Sequence, residues 1–330
     1  MPTARNTATA MVLIGLLVGA LATGGCDVRP GTLKTADGKV LTELAINASD
    51  GDEVAAVGDL QAAATKYEQA LKVLHTYYEK VGALDQQIWS DKELTNFRQA
   101  KTWRYVGVEP PAAPADQSVD NANEAGLIEQ VLGARDAWTG GLKALADLYA
   151  AKGMTFKLTA IQNVQARFDP IRTYEYFLHA EIPPASLKPQ TVSKPADDLF
   201  GRALKLHKRG KILPAVTNYN KQRQALGLFR QLVREHPTSD KIAKAAYYVG
   251  EIYKEYFDEN VRAVHWYERA WQWDPDLLLP ARFQAATVYD LRLAQYGTAV
   301  RLYQEVIKHE RFNWTNVRFA RRRIEELTGQ

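Results

Sequence analysis

The chain has 330 residues, a formal net charge of +4, and 46% hydrophobic residues. This apolar share is ordinary for globular proteins, so a wholly disordered chain is excluded, and the length allows two domains or one repeat array with an N-terminal partner. Residues 27–196 carry 18 Lys and Arg against 22 Asp and Glu, whereas residues 197–330 carry 23 against 16. A basic C-terminal half favours anionic partners, although Lys and Arg that solvate helix faces are the simpler interpretation.

Residues 1–25 are typical of a signal peptide. Arg5 is the one charged side chain of the first ten residues, and Met11–Ala22 is an unbroken apolar run that is too short to span a bilayer comfortably. Small residues then lead into Cys26, which is the only cysteine of the chain. An intrachain disulfide is therefore excluded.

This N-terminal pattern resembles the lipobox of bacterial lipoproteins, in which the cysteine is acylated and becomes the mature N-terminus. The resemblance implies lipidation of Cys26 and anchoring in the cell envelope, on its periplasmic or extracellular face. The family usually has Leu where this chain has Thr23. Ordinary secretory cleavage after Ala22 is an alternative, and an uncleaved membrane helix is a third. All three place the remaining chain outside the cytoplasm.

Residues 26–42 mix Pro, Gly and charged side chains and predict a tether, with a short helix allowed from Leu41 to Ala48. Residues 43–181 predict an irregular helical region, and proline-rich stretches predict linkers near 105–126 and over 182–196. The helices predicted in this region are Gln61–Lys80, Leu84–Ala100, Leu127–Lys152 and Thr155–Arg167.

The first of these helices carries a small-and-aromatic pattern formed by Gly58, Ala63, Tyr67 and Ala70. This spacing resembles the second helix of a tetratricopeptide repeat, although Asp50-Gly51-Asp52 interrupts the helix that should precede it. A degenerate repeat and a plain helix are both compatible with the pattern. Further along, Gly140-Gly141 predicts either a kink or a split in its helix.

From Lys241 onward the sequence repeats itself every 36 residues. Two amphipathic helices in a period of this length are typical of a helical-hairpin solenoid. Small residues recur where two helices must cross closely, and aromatic residues recur where they must fill the groove between them. The aligned pairs are Gly250 with Ala286, Tyr253 with Tyr289, Ala263 with Ala299, and Tyr267 with Tyr303.

Residues 197–330 resemble a tetratricopeptide array with a C-terminal capping helix, which implies an all-α fold. The positions that match in the first repeat are Ala203, Leu206, Gly210, Ala215 and Tyr219. They predict a helix over Asp198–Arg209 and an overlong second helix that continues to Glu235. The later half of that second helix repeats the pattern at Ala225, Phe229 and Pro237. Two regular repeats follow, Lys241–Pro275 and Pro280–Glu310, each with one residue more than the usual turn, and Asn316–Leu327 is the predicted cap. With the signal segment, the chain is distantly similar to outer-membrane assembly lipoproteins of the BamD type.

The resemblance also implies a concave groove lined by the first helix of each repeat. If Gly250 is the eighth repeat position, the fifth position holds Tyr247, and one and two periods later Phe283 and Phe319. Such an aromatic column suits an apolar side chain of a bound peptide, although the same rings could instead pack between repeats. The polar neighbours expected to fix the register of the peptide are Lys244, Glu251, Lys254 and Asp290.

No motif for chemistry accompanies these features. The six histidines are scattered without i, i+4 spacing, and the sequence has neither a glycine-rich phosphate loop nor a nucleophile elbow. We therefore expect no catalytic residue, metal, cofactor or nucleic-acid partner. The predicted function is a membrane-anchored extracytoplasmic adaptor or scaffold that binds another protein or peptide. A structural subunit of a cell-envelope complex is the alternative, and a cryptic envelope enzyme is a weaker third.

Overall fold

The computed structural model describes residues 31–109, 111–112, 118–213 and 216–329. In this part of the chain the fold is all-α, as the sequence predicts, with twelve α-helices and four very short strands. The predicted signal peptide and Cys26 lie outside the described residues. None of the helices described is long and apolar enough to cross a membrane.

Two strands and five α-helices form an N-terminal bundle. They are β1 (Glu43–Ala45), α1 (Gly51–Val81), α2 (Leu84–Ala100), β2 (Arg104–Val106), α3 (Glu124–Ala151), α4 (Thr155–Arg167) and α5 (Leu178–Glu181). Strands β1 and β2 pair in parallel, with Leu44 opposite Tyr105, and both side chains are buried. The short helix allowed over Leu41–Ala48 is therefore wrong, because this segment extends to pair with a strand about 60 residues away.

Helix α1 is one continuous helix of 31 residues. Asp50 adopts an extended conformation, and its carboxylate accepts a hydrogen bond from the backbone N–H of Glu53 at 3.2 Å, so Asp50 is the N-cap of α1. Asp50-Gly51-Asp52, which the sequence predicts to interrupt a helix, therefore begins one. No helix precedes α1 in the described part of the chain, which favours the plain helix over the degenerate repeat.

Helix α3 passes through Gly140-Gly141 without a break, so the predicted split does not occur. A Cβ added at Gly141 would lie 3.1 Å from Cδ1 of Leu60 in α1. The missing side chain thus allows α1 and α3 to pack closely along their length.

A fully buried carboxylate joins the parts of the bundle. Glu93 of α2 accepts hydrogen bonds from the hydroxyls of Tyr67 and Tyr176 and from the backbone N–H of Tyr174, and its Oε1 lies 3.1 Å from Nε of Arg135. A buried charge is tolerated only when it is paired and hydrogen-bonded, as here. The segment that carries Tyr174 and Tyr176 is therefore an irregular segment inserted into the core.

The remaining elements form a C-terminal array. They are α6 (Lys194–Gly210), β3 (Lys211–Leu213), β4 (Val216–Thr217), α7 (Tyr219–Glu235), α8 (Ile242–Ile252), α9 (Asn260–Trp273), α10 (Ala281–Leu291), α11 (Tyr296–His309) and α12 (Trp314–Thr328). Each helix of the array packs against the next one along the chain.

The overlong second helix predicted for the first repeat is wrong. Helix α6 ends at Gly210, the chain turns through β3 and β4, and α7 begins after Asn218, whose side chain accepts from the backbone N–H of Lys221 at 3.0 Å. A Cβ at Gly210 would lie 2.4 Å from Nε2 of Gln222, so this glycine permits the close contact of α6 with α7. The second helix of the repeat is α7, and its register is the one marked by Ala225, Phe229 and Pro237.

The extra residue in each regular repeat has a local cause. After α8, Tyr253–Phe257 forms a π-helical turn, and Asp258 follows in the left-handed region with φ 54°. Between α10 and α11, Ala294 takes the same region with φ 53°. Non-glycine residues rarely adopt this conformation, and here it reverses the chain within a short turn.

The predicted linker over 182–196 lies against the array. Ile182 is buried, Trp273 donates its indole N–H to the carbonyl of Pro184 at 3.0 Å, and the backbone N–H of Thr191 donates to the carbonyl of Thr238 at 3.0 Å. The helix predicted from Asp198 begins four residues earlier, at Lys194 of α6.

The bundle and the array are in direct contact. Arg262 of α9 is buried, donates to Glu181 at 2.8 Å and to the carbonyl of Thr173 at 2.7 Å, and lies 4.3 Å from the ring centroid of Tyr174. His265, one helical turn further on, contacts Asp85 at the beginning of α2, with 3.2 Å between Nε2 and Oδ2.

His265 makes this contact pH-dependent. Burial of the ring opposes its charged form, but hydrogen bonds to Asp85 and Glu268 outweigh burial and raise the pKa of His265 from 6.5 to about 9. Stability from this group is fully present below pH 6.5 and is lost as the pH rises through 9. We expect the wild type to lose about 3 kcal/mol at most over this window. Urea unfolding at several pH values measures the loss.

His265→Gln should remove this pH dependence, because glutamine does not titrate. His309→Gln is the matched control, since His309 is exposed and, among the described residues, pairs only with Glu305 one turn away on its own helix. An equal slope in wild type and His265→Gln would show that the contact with α2 contributes nothing to the pH dependence.

Candidate functional site

The predicted aromatic column is packed inside the array. Tyr247 is 7% exposed, and its ring lies 5.6 Å from that of Tyr267 on α9. Phe283 and Phe319 are half-buried and meet edge to face at 5.5 Å, with Tyr303 within 6.5 Å of both. These rings fill the space between consecutive helices, which favours packing over an open peptide groove.

Glu251 is tied to the first helical pair of the array. Its Oε1 accepts from Nζ of Lys211 at 2.6 Å and lies 3.3 Å from Nε2 of His207. Burial alone would raise the pKa of this carboxyl, but the hydrogen bonds from His207 and Lys211 reverse the shift and lower the pKa of Glu251 to about 2. Glu251 is therefore ionised at neutral pH, and its charge is compensated within the protein.

Asp290 is a second predicted groove residue whose charge is compensated within the protein, here at the C-terminal end of the array. It is buried, and its two oxygens accept from Nε and Nη2 of Arg323 at 2.6 and 2.9 Å. The hydroxyl of Tyr303 donates a third hydrogen bond at 3.0 Å. This bidentate pair fixes α12, the predicted cap, against α10.

The two lysines of the predicted groove differ in exposure. Lys254 is half-buried and donates to the side-chain oxygen of Gln284 at 2.7 Å, whereas Lys244 is exposed. Lys244 is thus the one fully exposed member of the seven predicted groove residues. Most of the seven residues make contacts between helices, so few of their side chains are free to contact a ligand.

A different surface exposes large apolar side chains. Leu278, in the turn between α9 and α10, is 76% exposed, and Trp314, at the beginning of α12, is 66% exposed. The two residues stand one 36-residue period apart in the sequence; Leu278 lies three residues before the first residue of α10, and Trp314 is the first residue of α12. Phe312, in the turn before α12, is 45% exposed. We call Leu278, Phe312 and Trp314 the C-terminal apolar edge.

One basic side chain contacts this edge, and two more are exposed in the same C-terminal segment. The guanidinium of Arg318 lies 4.7 Å from the ring centroid of Trp314. Arg311 and Arg321 are exposed as well, and within the described residues none of these three arginines has a carboxylate partner. The helical pattern of the sequence does not predict the edge, because Leu278 and Phe312 lie in turns, outside that pattern. The signal was the 36-residue alignment of Leu278 with Trp314.

Chemistry at a metal has no visible support in the described ranges, where no group of three or more His, Cys, Asp or Glu side chains could hold a metal ion. Comparisons of the chain with family models, with curated proteins and with solved structures found no match. The geometry of the chain itself is thus the basis for a functional proposal.

Glu251→Gln tests the internal role of this predicted groove residue. The pKa of Glu251 lies below that of an unfolded glutamate, so the stabilisation is present above pH 4.5 and is lost as the pH falls through 2. At pH 7 we expect the variant to be less stable by up to about 3 kcal/mol. The difference should shrink with acidification in urea unfolding followed by tryptophan fluorescence.

Glu255→Gln serves as the control, because Glu255 is exposed and its one ion pair within the described part of the chain is with neighbouring Lys254. If Glu251→Gln unfolds like the wild type at pH 7, the carboxylate is not held by His207 and Lys211 and remains free to contact a ligand.

Proposed function

We propose that the protein is an extracytoplasmic helical-repeat adaptor, anchored to the membrane by a lipid on Cys26, that binds another protein through the C-terminal apolar edge. The observation that carries the proposal is the exposure of Leu278 and Trp314 one repeat period apart. Monomeric proteins seldom expose grouped large apolar side chains without a function for them.

The composition of the edge suits a protein partner. Tryptophan and arginine are the residues most enriched among those that dominate binding energy at protein interfaces, and Arg318 is stacked on Trp314 before any partner arrives. Exposed Arg311 and Arg321 would favour a partner with acidic side chains around an apolar centre.

The edge is also held in place by the fold. Arg323 joins α12 to α10 through buried Asp290, and Phe319 packs on Phe283, so the turn that carries Phe312 is attached at its far side to a fixed helix. A binding surface that is already ordered loses less conformational entropy on association. The residues predicted to line a groove thus support a different surface.

A structural subunit of a cell-envelope complex is the second candidate. The contacts of Arg262 and His265 with the N-terminal bundle favour it, because they join the bundle to the array and allow both to contact a partner at the same time. Such a subunit would make contacts over residues 43–180 as well as at the apolar edge.

We expect a photo-crosslinking amino acid at position 278 to capture a partner protein in cells. Trp314→Ser should reduce the yield of this crosslink at least about tenfold, because a central tryptophan commonly contributes about 2 kcal/mol or more to binding. The matched control places the crosslinker at position 291 and the substitution at Tyr296, two exposed apolar residues at the other end of the hairpin formed by α10 and α11. Crosslinks of equal yield from positions 278, 291 and the surface of residues 43–180 would instead support the structural subunit.

Lipid anchoring is tested at Cys26, which lies outside the described residues. Cys26→Ala should abolish labelling with palmitate and release the protein from the membrane fraction. Thr23→Leu, which introduces the residue that the lipoprotein family usually has, should keep both properties. Labelling that persists in Cys26→Ala, or no labelling of the wild type, would contradict lipid anchoring at Cys26. The proposal that the apolar edge binds a protein does not depend on this result.

A further inference from the structure

The N-terminal bundle contains a cavity of about 310 Å³. Its walls come from α1, the end of α2, β2, α3 and α4, which bring together residues from Leu60 to Val164. Ligand pockets in proteins begin at about this size. The cavity belongs to the half of the molecule that the proposed adaptor surface does not use.

Aromatic side chains form two sides of the cavity. Phe97 and Trp138 meet edge to face at 4.9 Å, and Trp103 and Tyr105 do the same at 4.9 Å. The two tryptophans and Tyr105 are buried, so their positions are fixed by the surrounding core. The cavity is therefore preformed, and its walls suit a flat apolar group.

One positive charge of the cavity lining is uncompensated. Arg98 pairs with Glu68, with 2.8 Å between Nη2 and Oε1, so these two lining residues neutralise each other. Lys101 lines the cavity as well, and its ammonium lies 5.8 Å from the ring centroid of Trp103 and 5.3 Å from that of Tyr105. Among the described residues no carboxylate pairs with Lys101.

Lys101 as a whole residue is exposed, and desolvation of its ammonium lowers the pKa of Lys101. Two further lining residues have an unsatisfied polar atom. Nε1 of Trp103 and Oε1 of Gln61 are buried and have no hydrogen-bond partner in the described part of the chain. Buried polar atoms are nearly always hydrogen-bonded, so orphaned ones beside a cavity indicate a missing partner.

We propose that this cavity binds a small aromatic monocarboxylate. The ring of the ligand lies between the wall of Phe97 and Trp138 and the wall of Trp103, and its carboxylate accepts hydrogen bonds from the ammonium of Lys101. A single negative charge completes the charge balance of the lining, whereas a neutral or cationic analogue leaves Lys101 unpaired. This site is independent of the proposed adaptor surface.

The test uses 4-phenylbutyrate, its neutral amide 4-phenylbutanamide and the cationic 4-phenylbutylamine with the full chain, by isothermal titration calorimetry. The carboxylate should bind at least about tenfold more tightly than the amide, because a hydrogen bond to a charged group is worth more than a neutral one. The amine should bind most weakly. Quenching of tryptophan fluorescence should follow the same order, since Trp103 and Trp138 line the cavity.

Two variants locate the binding. Lys101→Met keeps the aliphatic stem and should make the carboxylate and the amide bind alike, whereas Lys143→Met, at an exposed position of α3, should keep the difference. Ala64→Leu fills the cavity and should abolish binding of all three probes, whereas Ala55→Leu, on an exposed face of the same helix, should not. Circular dichroism checks that each variant folds.

Equal affinity of wild type for the carboxylate and the amide would overturn the assignment of Lys101. Binding that survives Ala64→Leu would overturn the cavity as the site. The absence of saturable binding of 4-phenylbutyrate at millimolar concentration would overturn the ligand class. None of these outcomes bears on the crosslink at position 278, so failure here is distinguishable from failure of the adaptor proposal.

Discussion

The packing of the array against the N-terminal bundle depends on the contacts of one buried group, the guanidinium of Arg262. It reaches from the array to Glu181 and to the carbonyl of Thr173, and it covers the ring of Tyr174. Tyr174 in turn donates its backbone N–H to Glu93 at the centre of the bundle. Removal of one partner from such a buried charge pair typically costs about 3–5 kcal/mol, because the other charge is left unpaired. The irregular segment between these residues thus couples both cores.

Local periodicity accounts for what the sequence could predict. The structure gives α2 and α4 the predicted bounds, and the 36-residue alignment located α8–α11, because each of these helices buries an apolar stripe against its chain neighbour. The predictions were wrong where a helix cap or a distant strand determines the local structure. Asn218 begins α7 well after the predicted position, and β1 is extended because β2 pairs with it. A single hydrogen bond at a helix end leaves little trace in an apolar pattern.

The candidate surfaces, like the helices, could be predicted from the sequence only in part. The repeat alignment found the positions of Tyr247 and Phe283, yet exposure depends on the second helix that covers them, and spacing along one helix does not contain that information. The apolar edge was present in the alignment, at Leu278 and Trp314, but in a turn and at the first residue of a helix, where no period was expected. The cavity brings together residues about a hundred positions apart, so only the packed fold reveals it.

The π-helical turn after α8 has a consequence for any attempt to regularise the repeats. Its extra residue places Asp258 and Glu259 against the bundle, where Lys92 donates to the carbonyl of Asp258 and the hydroxyl of Tyr174 donates to Glu259 at 2.7 Å. A consensus repeat with the shorter standard turn would improve the helix locally and withdraw both acceptors from the bundle. The irregular turn thus determines which repeat of the array packs against the N-terminal bundle.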